Sequence, residues 1–126
     1  MGVLTVDDQD FFRSAAHEVI EATPGFCSAG EASSGEEALA LLEERAGAQL
    51  ALVDVRMPGM DGVQCAQRMK EAQPDLVVVL ISIEDSSGVP ASVADSGAAE
   101  FVRKQDFGPS LLSGLWSAHG RSADAR

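Results

Sequence analysis

Asp7, Asp8, Asp54, Ser82 and Lys104 are residue types that can manage a phosphoryl group or a divalent cation, and all sit where a β-type run ends. Val3-Leu4-Thr5-Val6 leads into Asp7-Asp8, and Leu50-Ala51-Leu52-Val53 into Asp54. The apolar run 76–81 leads into Ser82, and Glu100-Phe101-Val102-Arg103 into Lys104. Two carboxylates about 4 Å apart repel by about 4 kcal/mol at an effective dielectric near 20. Lys104 offsets part of that repulsion, and a divalent cation offsets more. Mg²⁺ suits such a cleft, because it takes one or two carboxylates plus water and phosphate oxygens. An acid pair alone is a common surface feature; the pair combined with a strand-end Asp, Ser and Lys is far more specific.

These residues meet only if the strands are parallel, so that their carboxyl ends share one edge. The sequence predicts that arrangement. Strand-like runs at 3–6, 26–32, 50–54, 76–82 and 100–103 alternate with helical patterns at 10–22, 35–45, 62–72 and 109–119. The first helix carries Phe12, Ala15, Ala16, Val19 and Ile20 at helical spacing, and Thr23-Pro24-Gly25 stops it. Asp61 reads as the N-cap of the third helix. Residues 84–97 give a weak signal, and a short helix is expected from Pro90, which cannot lie in a helix interior. Alternation with right-handed crossovers implies an α/β fold with a doubly wound five-stranded parallel sheet. In the order 2-1-3-4-5, strands 1, 3, 4 and 5 are contiguous. Those four end in the chemical residues, next to the switch point where open sheets bind ligands. The polar second strand falls at an edge. Residues 1–119 are read as one domain and 120–126 as a C-terminal tail.

Composition narrows the partners. The chain has 126 residues and 45% hydrophobic content, enough for one core. Its net charge is −11, with nine basic residues, which disfavours binding to nucleic-acid phosphates. No apolar run is long enough for a transmembrane helix, and no secretory signal opens the chain. A cytoplasmic location with no membrane contact is the expectation. Cys27 and Cys65 lack metal spacing and read as buried small hydrophobes rather than a redox pair. His17 and His119 have no paired acid or metal spacing and receive no function.

The chain resembles the receiver domain of two-component response regulators over about residues 3–118. The resemblance is carried by Val6-Asp7-Asp8, the stretch from Val53-Asp54 through Met57-Pro58-Gly59-Met60-Asp61-Gly62, Ile81-Ser82, and Gly97-Ala98-Ala99-Glu100-Phe101-Val102-Arg103-Lys104. Glu21-Ala22-Thr23-Pro24-Gly25-Phe26, Gly30-Glu31-Ala32 and Gly35-Glu36-Glu37-Ala38-Leu39 resemble the subfamily usually fused to a helix-turn-helix output domain.

This resemblance implies a flavodoxin-like three-layer sandwich and a phosphorylated switch rather than a metabolic enzyme. Asp54 would accept the phosphoryl group from a sensor histidine kinase. Mg²⁺ would be held by Asp8, Asp54 and the Arg56 backbone carbonyl, with Asp7 acting through a water. Lys104 and Ser82 would bind phosphoryl oxygens. Ser82 and Phe101 would switch the face formed by the fourth helix, fifth strand and fifth helix, a possible homodimer contact that controls an output. By residue type alone Phe101 is core.

Two departures stand out. Ile83 lies where the family usually carries Ala or Gly, and would crowd the phosphate entrance or limit Phe101. Gln105 follows Lys104 where many relatives carry Pro. Arg56 and Glu84, each two residues past a site residue, are expected to pair over the cleft and modulate phosphate lifetime. Trp116 is either core or a dimer contact. Two rival functions remain at this stage: a Mg²⁺-dependent phosphatase with an aspartyl intermediate, and a degenerate receiver that only binds protein.

Overall fold

The computed structural model describes residues 1–44, 47–83 and 96–120. Five strands, β1 (Gly2–Val6), β2 (Cys27–Ala32), β3 (Ala48–Asp54), β4 (Val77–Ser82) and β5 (Glu100–Arg103), form one parallel sheet in the order β2-β1-β3-β4-β5. Helices α1 (Asp10–Ala22), α2 (Gly35–Glu44) and α3 (Gly62–Ala72) and a C-terminal helix (Pro109–Leu115) connect and cover it. The expected doubly wound order is therefore present, with β2 at one edge and β5 at the other.

Two apolar clusters explain why the sheet needs helices on both faces. Leu4 and Val6, Ala51 and Val53, and Val78 and Leu80 join Ala38 of α2 and Val63, Ala66 and Met69 of α3 on one side. Val3, Leu50, Leu52, Val77, Val79, Ile81 and Val102 join Ala16 and Ile20 of α1 and Leu112 and Leu115 on the other. Neighbouring residues of one strand enter opposite clusters, as a period of two demands. Strands buried on both faces read as continuous apolar runs, which is why residues 76–81 show no alternation.

Boundaries shift by a residue or two from the sequence reading. Cys27, not Phe26, opens β2, and Phe26 packs against the second cluster. The strand readings at 3–6 and 50–54 start late, because Gly2 and Ala48 already pair. The last helix was expected to continue to His119. Instead its α-helical part ends at Leu115 and a wider π turn follows over Trp116–Gly120. The Trp116 N–H is shared between the carbonyls of Leu112 and Ser113, and the poor helix formers Ser113 and Gly114 weaken the ladder there. Trp116 is half-buried against the second cluster. The expected helix near Pro90, residue Arg45 and the tail from 121 onward lie outside the described residues.

Candidate functional site

Strand alternation determines which side chains meet at the carboxyl edge. Val3 of β1, Leu52 of β3 and Val102 of β5 all belong to the cluster under α1 and the C-terminal helix. Counting on in steps of two reaches Asp7, Asp54 and Lys104. Register completes the placement: Val6 pairs with Val53, Asp54 with Ile81, and Ile81 with Val102. The residues just beyond these pairs are thus lateral neighbours. Ser82 and Phe101 have the opposite parity, and Phe101 packs half-buried against the other cluster.

The observed distances bear this out for the acids and the lysine. Oxygens of Asp7, Asp8 and Asp54 lie within 4.8 Å of one another. The Lys104 Nζ is 2.6 Å from Asp7 Oδ2 and 3.6 Å from Asp54 Oδ2. Asp7 is fully buried, Asp54 nearly so, and Asp8 is exposed. The Arg56 backbone N–H donates to Asp54 Oδ1 at 3.3 Å, while the Arg56 residue is exposed. Ser82 is buried at the end of β4, beside Arg103 in register. Glu84 lies outside the described residues, so the expected Arg56–Glu84 pair does too.

Burial pushes the Asp54 carboxyl up to about 6, and Asp7 adds to the rise. Lys104 and the Arg56 N–H pull it down, and Asp8 pushes it up slightly. One ammonium does not balance three acids. Asp7 Oδ2 carries the same message: it is buried and has no hydrogen-bond partner among the described residues. Lys104 reaches it at ion-pair distance, without the alignment of a hydrogen bond. A buried acceptor left so costs free energy. A small divalent cation with hard oxygen ligands fits this donor set.

The loop after Asp54 is shaped by α3. Asp61 caps that helix by accepting from the Gln64 N–H at 2.8 Å, and Gln64 Oε1 accepts from the Asp61 N–H. The N-cap reading of Asp61 thus holds. Gly62 follows because nothing larger fits: a Cβ there would stand 2.0 Å from the Asp54 carbonyl oxygen. The Gly62 N–H donates to Val55 O at 2.9 Å. The start of α3 is thereby pressed against the backbone of the acid strand.

Ile83 is 69% exposed at the end of β4, which leaves open to a proposal whether it crowds the phosphate entrance. Two expectations need correction. Cys65 is buried and its thiol is pushed up to about 12 by burial, but Cys27 is exposed because it opens an edge strand. His17 does have an acid beside it: Glu31 Oε2 is 3.5 Å from its Nδ1. The pairing joins α1 to β2 and leaves no trace in local spacing.

Three neighbours of the cleft were missed. Gln9 Oε1 accepts from Lys104 Nζ at 3.3 Å. The same ammonium stands 4.7 Å over the Phe12 ring, which itself lies 6.2 Å from that of Phe107. Arg13 Nη1 donates to the Asp7 carbonyl at 2.6 Å. The sequence places Phe12 only at helical spacing along α1. The position of Arg13 one turn into α1 was the signal available, since a helix that starts directly after the acids returns its first turn toward them.

Comparison with known proteins agrees with this geometry. Residues 3–113 match the family described as the response regulator receiver domain. The response regulator UvrY of Escherichia coli is 27% identical over 119 residues, 94% of this chain and 54% of that protein. The response regulator GacA of Pseudomonas aeruginosa is 31% identical over 102 residues, 81% of this chain and 47% of that protein. The chain spans about half the length of these curated relatives. The signal receiver domain of NarL from Mycobacterium tuberculosis superposes with a TM-score of 0.82 at 28% identity, covering 94% of this chain and 95% of that one. The N-terminal domain of a response regulator/sensory box/GGDEF protein from Carboxydothermus hydrogenoformans shares the fold, with a TM-score of 0.84 at 23% identity and coverage of 99% and 98%. No described helix is long and apolar enough to cross a membrane. On the family match over residues 3–113, the chain belongs to the receiver domains of two-component response regulators.

Proposed function

We propose that this domain takes a phosphoryl group from a sensor histidine kinase onto Asp54 and uses it as a switch. An Asp54 carboxylate oxygen attacks the phosphorus of a phosphohistidine. The P–N bond breaks as the new P–O bond forms, and the departing imidazole nitrogen keeps the electron pair and takes up a proton. Such transfer depends on positioning and on neutralising the equatorial oxygens. Lys104 serves one oxygen with its ammonium, and Ser82 another with its hydroxyl. Asp8, Asp54 and the Arg56 carbonyl would hold Mg²⁺, with Asp7 acting through a water. When bound, Mg²⁺ supplies positive charge to the pocket and to a phosphoryl oxygen. Hydrolysis of the aspartyl phosphate returns the domain to its first state, with Arg56 and Glu84 setting the lifetime.

The observation that carries this reading is the meeting of three carboxylates within 4.8 Å, with the Lys104 ammonium between two of them. The raised Asp54 supports it: burial lifts the carboxyl first, and the Asp7 charge beside it adds to the rise, so an added cation would relieve both. The readout is the face that includes β5 and the C-terminal helix. Ser82 turning toward the phosphoryl group and Phe101 turning inward would bias two existing states of that face. The partner is a homodimer mate, an output domain or a separate protein, and the output is transcription. The domain itself binds neither nucleic acid nor membrane and works in the cytoplasm.

Incubation with acetyl phosphate and Mg²⁺, followed by intact mass, tests the proposal. One phosphoryl group per chain is expected, lost with EDTA and in Asp54→Ala. Labelling that persists in Asp54→Ala, or steady turnover of a phosphate ester, would overturn it.

A further inference from the structure

We propose that Arg13 is a positioning residue for the metal pocket, pinning from α1 the peptide that joins Asp7 to Asp8. This inference rests on the reading of the cleft as a Mg²⁺ and phosphoryl site.

The four polar groups of Asp7 have separate fates. Its N–H donates to Ala32 O of β2 at 3.0 Å. Its Oδ1 accepts from the Gln9 N–H at 2.8 Å. Its carbonyl accepts from Arg13 Nη1 at 2.6 Å. Only Oδ2 remains, buried and turned toward Lys104. The Asp7 carbonyl belongs to the peptide plane that links the two acids. Turning that plane would swing the Asp7 and Asp8 carboxylates relative to each other, and the Arg13 bond opposes the turn.

The guanidinium is itself held. Nη2 meets Asp10 Oδ1 in an i,i+3 pair on α1. Nε lies 3.7 Å from Glu31 Oε1 on the edge strand, and His17 stands at the other Glu31 oxygen. The Arg13 side chain is only 17% exposed. Two donated hydrogen bonds and an ion pair in a third direction from one planar group suit Arg; a lysine ammonium is a point charge that cannot reproduce the fork.

Charge and geometry predict opposite signs, which makes the inference testable. Removing a cation beside an anionic pocket should tighten Mg²⁺ binding by simple electrostatics. Loss of positioning should weaken it. The measurement is calorimetric titration of Mg²⁺ into the wild-type chain, Arg13→Met and Arg13→Lys, with acetyl phosphate labelling at low and saturating Mg²⁺. We expect affinity to fall about tenfold in Arg13→Met, as for loss of a charge-assisted hydrogen bond. Arg13→Lys keeps the charge and should still lose about threefold. Labelling should recover at saturating Mg²⁺, because the defect lies in the ion's site. Mg²⁺ affinity equal to or above wild type in Arg13→Met would overturn the inference, as would a labelling defect that persists undiminished at saturation. If Arg13→Met does not fold, Arg13→Lys decides alone, and an unchanged affinity there overturns it. A wild-type chain that binds no Mg²⁺ would instead overturn the reading of the cleft, and this inference with it.

Discussion

The chain has two lysines, and they stand at opposite ends of the sheet. Lys70, near the amino ends of the strands, donates to Pro74 O at 2.6 Å and to Leu76 O at 2.9 Å. Nearby, Gln73 Nε2 donates to Ala48 O at 2.9 Å, and the Gly2 N–H to Gln49 Oε1 at 3.1 Å. Around Lys70, donors and acceptors are matched. Lys104, at the carboxyl ends, stands between two acids and leaves one buried carboxylate oxygen without a hydrogen bond. The same side chain thus closes off a helix end in one place and leaves an electrostatic demand in the other. Burial does not separate structure from chemistry here; the imbalance of charge does.

Removing each lysine should sharpen that contrast, with Lys104 giving the larger effect. Lys104→Met should slow labelling of Asp54 by acetyl phosphate about 10²-fold, as for loss of one transition-state donor. In EDTA it should also cost about 3 kcal/mol in urea unfolding, because Asp7 is left buried beside Asp54 without its cation. Mg²⁺ should return part of that loss.

The raised Asp54 gives the carboxyl edge its own pH signature. The folded chain keeps this proton up to about pH 6, whereas the unfolded chain releases it near the ordinary value of 3.8. Between those values protons favour the folded state, so metal-free stability should fall as pH rises from about 4 to about 6. Above that window the loss is complete. Urea midpoints across pH, compared with Asp54→Asn, check this: the variant should lack the decline. An unchanged slope would mean that another group titrates.

Lys70→Met tests the matched end. Loss of its two carbonyl contacts should cost about 1–2 kcal/mol, with labelling unchanged. Slower labelling at constant fold would erase the distinction between the two ends. The smallest effect belongs to Asp61→Ala, which removes the cap of α3 and should cost about 1 kcal/mol. Because α3 abuts the Asp54 backbone through Gly62, labelling in that variant also reports whether the helix start holds the acid in place.

Much of this was legible in the chain itself, for a local reason. Apolar runs and helical spacing are written in neighbouring residues, and those runs end at Asp7, Asp54 and Lys104; which face each end shares came from the two clusters. The Gly62 requirement was visible only as part of a motif; the close approach to Asp54 O explains it. The wider turn at Trp116–Gly120 is hidden in the sequence because Pro109 and the apolar stripe favour a regular helix, whereas Ser113-Gly114 weakens it.

The amino-acid order alone determined the alternation of five strands with helices and the residues that end four of the strands, since both depend on local pattern; the order 2-1-3-4-5 was expected because it brings those four ends together, and the sheet has it. Only tertiary packing decided that Lys104 sits nearer Asp7 than Asp54, that Glu31 lies beside His17 and Arg13, and that the Asp7 carbonyl is held from α1. Those relations join residues on separate elements, and their distances depend on how those elements lie against one another. No local spacing encodes that arrangement.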